Sequence, residues 1–439
     1  MASTAVILAA GFGTRMKSAL PKALHPIAGR PMLRHLLASC EAVFDRIVVV
    51  VGPDMQAVAN IAAPHTVVVQ QDRLGTAHAA LQAAGQFADG DVAVLYADNP
   101  LITPNTLRAL LHHRAGPDIG LALLAMRPAD PARYGRVLAI GGLVERIVEW
   151  KDADAAERAI GLCNAGVLCG AADDMRRWLA AVGNGNANGE YYLTDLVTLA
   201  RADGRHVAAV EAPEAELRGV NSRAELAEAE ATVQAWLRRA AMDAGVTMTA
   251  PETVFLSADT RFEPDVSIAP NVVFGPGVIV RSGAVIKSFC HLEGCDIGAG
   301  AIIGPFARLR PGTLVGADAH IGNFVELKAT RFGAGAKASH LSYLGDSEIG
   351  AGSNIGAGTI TCNYDGFDKH RTVIGENVFI GSDSVLVAPL RIGDGAFVTA
   401  GSVITANVAP DAMAFGRAAQ VDKPGRAAAF RARKRAQKG

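Results

Sequence analysis

Long apolar runs, cysteine and excess charge of either sign are all scarce in this chain of 439 residues, and each scarcity closes off a class of protein. No apolar stretch approaches the roughly 20 residues that a membrane-spanning helix needs. Nothing basic precedes the first one, Ala5-Val6-Ile7-Leu8, as it would in a secretory leader. A soluble protein without membrane insertion is expected. The six cysteines, Cys40, Cys163, Cys169, Cys290, Cys295 and Cys362, are too sparse for a secreted disulfide framework, and none stand at paired metal-ligand spacing. A reduced, cytoplasmic setting is the expectation. Lys and Arg number 42 against 43 Asp and Glu, a formal net charge of -1, so the chain has no global pull toward nucleic acid or an anionic membrane. Any anion it binds must be held locally.

The length exceeds that of one hydrophobic core, and two textures divide it. Up to about residue 222, short apolar runs alternate with helix-length segments, which predicts an α/β domain with a mostly parallel sheet and strands at 5–10, 47–51, 67–69 and 92–97. Ser222 followed by Glu225 makes a capping box, and Gly and Pro are then absent until Gly245. This predicts a linker helix over 223–245, whose larger apolar positions Leu226, Val233, Leu237 and Met242 are too few for a core of their own. From 246 to 416 the texture is hexads. Apolar residues recur at Ile268, Phe274, Val280, Ile286 and Leu292, then from Ile297 to Leu327, and with slips of phase through Leu344, Ile355 and Ile374 to Ile404. Of these 23 positions, 12 are followed directly by Gly. A period of six means one short strand and one tight corner per hexad. The pattern resembles the hexapeptide-repeat family, which implies a left-handed parallel β-helix and a homotrimer. The last segment, 417–439, is basic and poor in apolar residues, and reads as a flexible solvated tail.

The first predicted strand runs into Gly11-Phe12-Gly13-Thr14-Arg15-Met16, followed by Pro21-Lys22. A third glycine is missing, and two cations stand where a dinucleotide fold offers only backbone amides, so this is not a Rossmann fingerprint. Glycines let the backbone approach phosphates, while Arg15 and Lys22 would neutralise charge that builds on a triphosphate during displacement at phosphorus. Asp98, at the end of a predicted buried strand, is a hard oxygen ligand suited to Mg²⁺ that bridges phosphates. As a unit, Leu8-Ala9-Ala10-Gly11-x-Gly13-Thr14-Arg15-Met16 with Pro21-Lys22 resembles the signature of sugar-nucleotide pyrophosphorylases. The likeness continues through Gln70, Leu74-Gly75-Thr76-Ala77-His78, Tyr96-Ala97-Asp98, Tyr134-Gly135-Arg136-Val137, Ile147-Val148-Glu149, Asn164-Ala165-Gly166, Glu190-Tyr191-Tyr192-Leu193-Thr194-Asp195 and Gly219-Val220-Asn221.

In the hexad region, polar residues collect where the coils break: Arg308-Leu309-Arg310-Pro311-Gly312, Phe324-Val325-Glu326-Leu327-Lys328, His340-Leu341-Ser342-Tyr343-Leu344-Gly345-Asp346 and Asn363-Tyr364-Asp365-Gly366. A purely structural repeat has no use for them. Acyl transfer from a thioester to an amine needs a base working near neutral pH, which is the range of imidazole, and His340 is the candidate. Glu326, about one coil earlier, would orient its ring, as a carboxylate does in a triad.

Together these segments resemble the bifunctional bacterial N-acetylglucosamine-1-phosphate uridylyltransferase and glucosamine-1-phosphate N-acetyltransferase family, over residues 5–417. The resemblance implies that UTP or UDP-N-acetylglucosamine is held by Leu8, Ala9, Ala10, Gly11, Lys22, Gln70, Gly75, Thr76, Tyr96, Ala97 and Asp98, with Gly135, Glu149 and Asn164 on the sugar. Asn221 would join Asp98 at the metal. It further implies that Arg310, Lys328, Tyr343, Asn354, Asn363, Tyr364 and Lys369 bind glucosamine-1-phosphate, Lys369 coming from a neighbouring subunit. Ala357, Asn363, Tyr364, Ser382, Ala400 and Arg417 would line an acetyl-CoA site. The implied reactions are acetylation of glucosamine-1-phosphate by acetyl-CoA, then uridylyl transfer from UTP to give UDP-N-acetylglucosamine for cell-envelope polysaccharides. Two alternatives stay open on sequence: a pyrophosphorylase whose β-helix is only a scaffold, and a galactosamine epimer as substrate.

Overall fold

The computed structural model describes residues 2–131, 134–186 and 188–438. It divides into two compact units, Met1–Leu237 and Arg238–Gly439. The first unit is built on a nine-stranded sheet of β1 (Thr4–Leu8), β2 (Arg46–Val51), β3 (Thr66–Val69), β4 (Asp91–Tyr96), β5 (Ile119–Met126), β6 (Arg136–Ile140), β7 (Leu143–Val148), β8 (Cys163–Ala171) and β9 (His206–Glu211). Their order is β3-β2-β1-β4-β8-β5-β9-β7-β6. The first four strands are parallel, in register with Leu8 beside both Val50 and Tyr96. Alternate residues face opposite layers: Ala5 and Ile7 pack with Leu33, Leu36 and Leu107, whereas Val6 and Leu8 pack with Ala80, Leu168 and Trp178. Burial on both faces is why these strands read as continuous apolar runs.

β1 is shorter than its expected span because the chain peels away from the sheet. Ala9 still donates to the Val50 carbonyl at 2.7 Å, but the Ala10 carbonyl accepts from the Arg73 side chain at 2.7 Å instead of from a strand. Beyond β4 the sheet is mixed: β8 runs antiparallel to β4 and β5, and β6 and β7 form an antiparallel pair. That half was not foreseen. Its outer strands are half solvated, with Ile140 74% exposed, so no clean apolar run announces them.

A helix, here α2, spans Arg223–Asp243, and a shorter one, α1, spans Thr76–Gln82. Ser222 Oγ accepts from the Glu225 amide at 3.2 Å, as a capping box requires, but the Glu225 carboxylate reaches back one residue further, to the Asn221 amide at 2.7 Å. The division between the units falls inside α2. Among the described residues no helix is long and apolar enough to cross a membrane.

The second unit is a left-handed parallel β-helix with three faces, sheets of ten, eight and eight short strands. Every hexad position named above is buried, and so is Thr361, which holds the equivalent position between Ile355 and Ile374. Successive coils stack residue on residue: Val280 neighbours Ile297, which neighbours Val315, then Phe332 and Ile349. Corners must be thin for this stacking. A Cβ on Gly316 would stand 2.5 Å from the Ala334 nitrogen of the next coil. The main slip of phase is a loop between Ile360–Cys362 and Thr372–Ile374, which leaves the coil and returns.

The segment expected as a solvated tail carries regular structure. The chain ends in a helix, α3 (Arg426–Ala436), with no buried residue. Ala and Arg are strong helix formers, and Arg433, Lys434 and Arg435 in the last turn suit the helix dipole.

Candidate active sites

In the first unit, the carboxyl ends of the four parallel strands open onto a cleft of about 290 Å³. Three backbone bonds set the floor: Ala9 to Val50 at 2.7 Å, Gln70 to Val51 at 2.8 Å and Ala97 to Leu8 at 3.0 Å. Leu8, Ala9, Ala10, Gly11, Lys22, Gln70, Gly75, Thr76, Tyr96, Ala97 and Asp98, the residues expected at the nucleotide, all line this one cleft. Buried Gln70 is fixed by its side-chain bonds to the Gly75 carbonyl (3.2 Å) and His78 Nδ1 (3.0 Å). Gly75 has φ 124°, and a Cβ there would lie 2.5 Å from the Tyr191 carbonyl, so only glycine lets the two loops touch. Thr76, Tyr96 and Glu190 also line an adjoining cavity of about 330 Å³ with Glu149 and Asn164. Gly135 lies against Glu149, where a Cβ would stand 3.4 Å from Oε2. Burial first, and then Asp152, push the Glu149 carboxyl above the usual range.

Two segments far apart in sequence meet at Asp98. The Val220 amide donates to the Asp98 carbonyl at 2.8 Å, and Asn99 Nδ2 donates to the Leu217 carbonyl at 2.8 Å. This brings Asn221 to the end of β4. The Lys22 ammonium forms an ion pair with Asp98 and donates to Asn221 Oδ1 at 3.0 Å, and Arg15 donates to the same oxygen at 2.7 Å. A carboxylate and an amide oxygen converging on one cation fit Mg²⁺, which takes few protein oxygens and fills its sphere with water and substrate phosphate. Among the described residues there is no cluster of three or more His, Cys, Asp or Glu side chains that could form a protein-only cage.

In the second unit the expected residues fall into two sets. Along the corner between two faces, His340 follows Asn323 one coil on, and their side chains meet, His340 Nδ1 to Asn323 Oδ1, at 2.6 Å. The same corner continues through Ala357, Ser382 and Ala400, joined by bonds from the Asp383 amide to Ala357 (2.7 Å) and the Gly401 amide to Ser382 (2.8 Å). Below His340 this corner carries the exposed side chains of Phe289, Phe306, Phe324 and Leu341. Above it stand Gly358, Asp383 and Gly401. The ridge of bulky apolar side chains thus ends just past His340, and Arg417 stands 3.7 Å from where a Gly401 Cβ would be.

The second set gathers on the neighbouring face. Lys328 pairs with Asp346 at 3.5 Å, Asn363 donates to Asp346 at 2.5 Å, and Arg310 pairs with Glu326 at 2.9 Å. Tyr343 lies beside Glu326 in the strand register, and its hydroxyl folds over Gly345. Contact with the Lys328 ammonium holds Lys369 below the ordinary lysine range. Tyr364 is bridged to Lys369 within the loop and is well exposed. Asn354 is on the His340 face, beside Lys337 and Phe379.

One expectation changes here. The partner of the His340 ring is Asn323, because His340 stacks on Asn323 in the coil register, whereas Glu326 lies on the next face and is held by Arg310. Within its own chain Lys369 stands beside Lys328.

The MobA-like NTP transferase domain family matches residues 5–161, and the bacterial transferase hexapeptide family (six repeats) matches residues 294–329 and 371–406. The chain is 68% identical to the bifunctional protein GlmU of Gluconacetobacter diazotrophicus, over 99% of this chain and 95% of that protein. It is 64% identical to the protein of that name from Acidiphilium cryptum, over 98% and 99%, and 55% identical to that of Paramagnetospirillum magneticum, over 99% and 97%. The chain belongs to the GlmU family. As a GlmU-family protein it is a bifunctional transferase, with a nucleotidyltransferase unit followed by a hexapeptide acyltransferase unit. Sequence reasoning missed Asn323, Asp346 and Arg73. Asp346 closes a segment already singled out, and Asn323 immediately precedes one, so both sat at visible coil breaks.

Proposed function

We propose that this GlmU-family chain makes UDP-N-acetylglucosamine in two steps at two sites. In the β-helix, His340 takes the proton from the amine of glucosamine-1-phosphate as the amine attacks the thioester carbonyl of acetyl-CoA, and CoA leaves as its thiol. The Asn323 contact at Nδ1 fixes the ring and leaves Nε2 to act as the base. Arg310, Lys328 and Lys369 supply positive charge for the sugar phosphate, with Tyr343, Asn354, Asn363 and Tyr364 on the sugar. The corner of Ala357, Ser382 and Ala400, ending at Arg417, takes the acetyl-CoA.

In the first unit, the phosphate of N-acetylglucosamine-1-phosphate attacks the α-phosphorus of UTP and pyrophosphate leaves. The nucleophile is already anionic, so positioning and charge neutralisation suffice without a general base. Gln70, Gly75 and Thr76 hold the nucleoside, Arg15 and Lys22 face the phosphates, and Gly135, Glu149 and Asn164 hold the sugar. Asp98 and Asn221 would hold Mg²⁺, which when bound neutralises phosphate charge. The observation that carries the proposal is the meeting of Lys22, Asp98 and Asn221 at the mouth of the nucleoside cleft.

The proposal includes a cytoplasmic homotrimer. Its support is the ladder Phe289, Phe306 and Phe324, exposed rings 4.9 and 5.1 Å apart that a second copy would cover. The test is an assay of purified protein with glucosamine-1-phosphate, acetyl-CoA, UTP and Mg²⁺, following free CoA and pyrophosphate. Both should appear. Asp98→Asn should cut pyrophosphate release by about 10²-fold or more and leave CoA release intact. Absence of CoA release from the parent protein would mean that the β-helix is only a scaffold.

A further inference from the structure

The nucleotide cleft contains a third cation that the mechanism above does not use. Arg73 lines the cleft from the loop between β3 and α1, the loop that also carries Gln70 and Gly75. Arg15 and Lys22 are both held by Asn221, but Arg73 is held by backbone and an aromatic ring. Its Nε donates to the Ala10 carbonyl at 2.7 Å. One face of its guanidinium lies under the Phe12 ring, 3.8 Å from the centroid. Beside it is Gly52, where a Cβ would come within 2.2 Å of the guanidinium. Phe12 itself is 61% exposed, an apolar ring at the tip of a glycine loop, placed there with Arg73 as its support.

We propose that Arg73 is a positioning residue for the nucleoside triphosphate: it latches the phosphate loop, residues 10–13, onto the loop that holds the nucleoside. The two loops then form one preformed surface, and the triphosphate need not order the glycine loop when it binds. The inference rests on the assignment of this cleft to UTP. A lysine could supply charge here but has neither the planar face for Phe12 nor an Nε donor directed at Ala10.

The test is steady-state uridylyl transfer by the full chain carrying Arg73→Ala, Arg73→Lys, Phe12→Ala or the Arg73→Ala and Phe12→Ala pair. Arg73→Ala should raise KM for UTP about tenfold or more, the size expected for a lost hydrogen bond from a charged donor. KM for N-acetylglucosamine-1-phosphate and the acetyl-transfer rate should stay near parental values, which a general loss of folding would not allow. Arg73→Lys should not restore KM. Phe12→Ala should act in the same direction, and the double variant should be less than additive, because both changes release one latch. A parental KM for UTP in Arg73→Ala, full rescue by lysine, or strict additivity would overturn the latch. Failure of the parent chain to release pyrophosphate from UTP would overturn the assignment of the cleft, and the role of Arg73 with it.

Discussion

Lys22 shows how a single side chain couples the parts of the first site, since its ammonium bridges Asp98 at the end of β4 and Asn221 from the segment before α2. In this arrangement a cation already balances Asp98, so phosphates and a metal bound there would exchange one set of charges for another instead of creating new ones. Glu149 is the residue whose environment makes the sharpest pH statement. Its carboxyl titrates above the usual range because of burial, then Asp152. An acid raised in the folded state costs nothing below the unfolded value of about 4.3, and its cost grows as pH rises from there through the folded value, because the unfolded chain ionises first. Glu149→Gln should therefore be more stable than the parent near neutral pH, with the difference closing toward pH ~4 in thermal unfolding. The same variant should raise KM for N-acetylglucosamine-1-phosphate about tenfold, as expected for loss of a charged hydrogen-bond acceptor. Equal stability at all pH values would contradict the raised carboxyl. At this scale the sequence singled out His340, Asp98 and Lys22 by residue type and position. It did not identify Asn323 as the ring's partner, because a coil repeat of varying length hides which residues share a corner.

Among the elements, the β-helix was the most legible, since a period of six specifies strand, corner and inward side chain together, and the inward positions are all buried. The four parallel strands were legible for a related reason: burial on both faces leaves unbroken apolar runs. The antiparallel strands β6, β7 and β8 were not, because partial solvation and a register shift between Asn164 and Leu168 break their pattern. The tail helix α3 was missed because basic composition was read as disorder while its helix propensity was passed over. The helix α2 has an expectation of its own. It carries buried Ala229, Val233 and Gln234, and all three precede the division between the units. A fragment ending at Ala244 should keep that packing and retain uridylyl transfer to N-acetylglucosamine-1-phosphate at near the parental rate. A folded fragment without that activity would show that the first site needs residues from the second unit.

For the molecule as a whole, the two compact units each bear one of the two proposed sets of site residues, and no residue proposed for either reaction lies in the other unit. The most direct measurement of this separation is a paired assay of full-length His340→Ala. Free thiol would report CoA released in the presence of glucosamine-1-phosphate and acetyl-CoA, and phosphate detection after pyrophosphatase would report UTP turnover with N-acetylglucosamine-1-phosphate. His340 is exposed at a corner and is not one of the inward hexad positions, so the β-helix should remain folded. Loss of a general base should slow CoA release by about 10²–10⁴-fold while pyrophosphate release stays at the parental rate. CoA release at the parental rate, or equal loss of both products from a folded variant, would contradict the assignment of one chemistry to each unit.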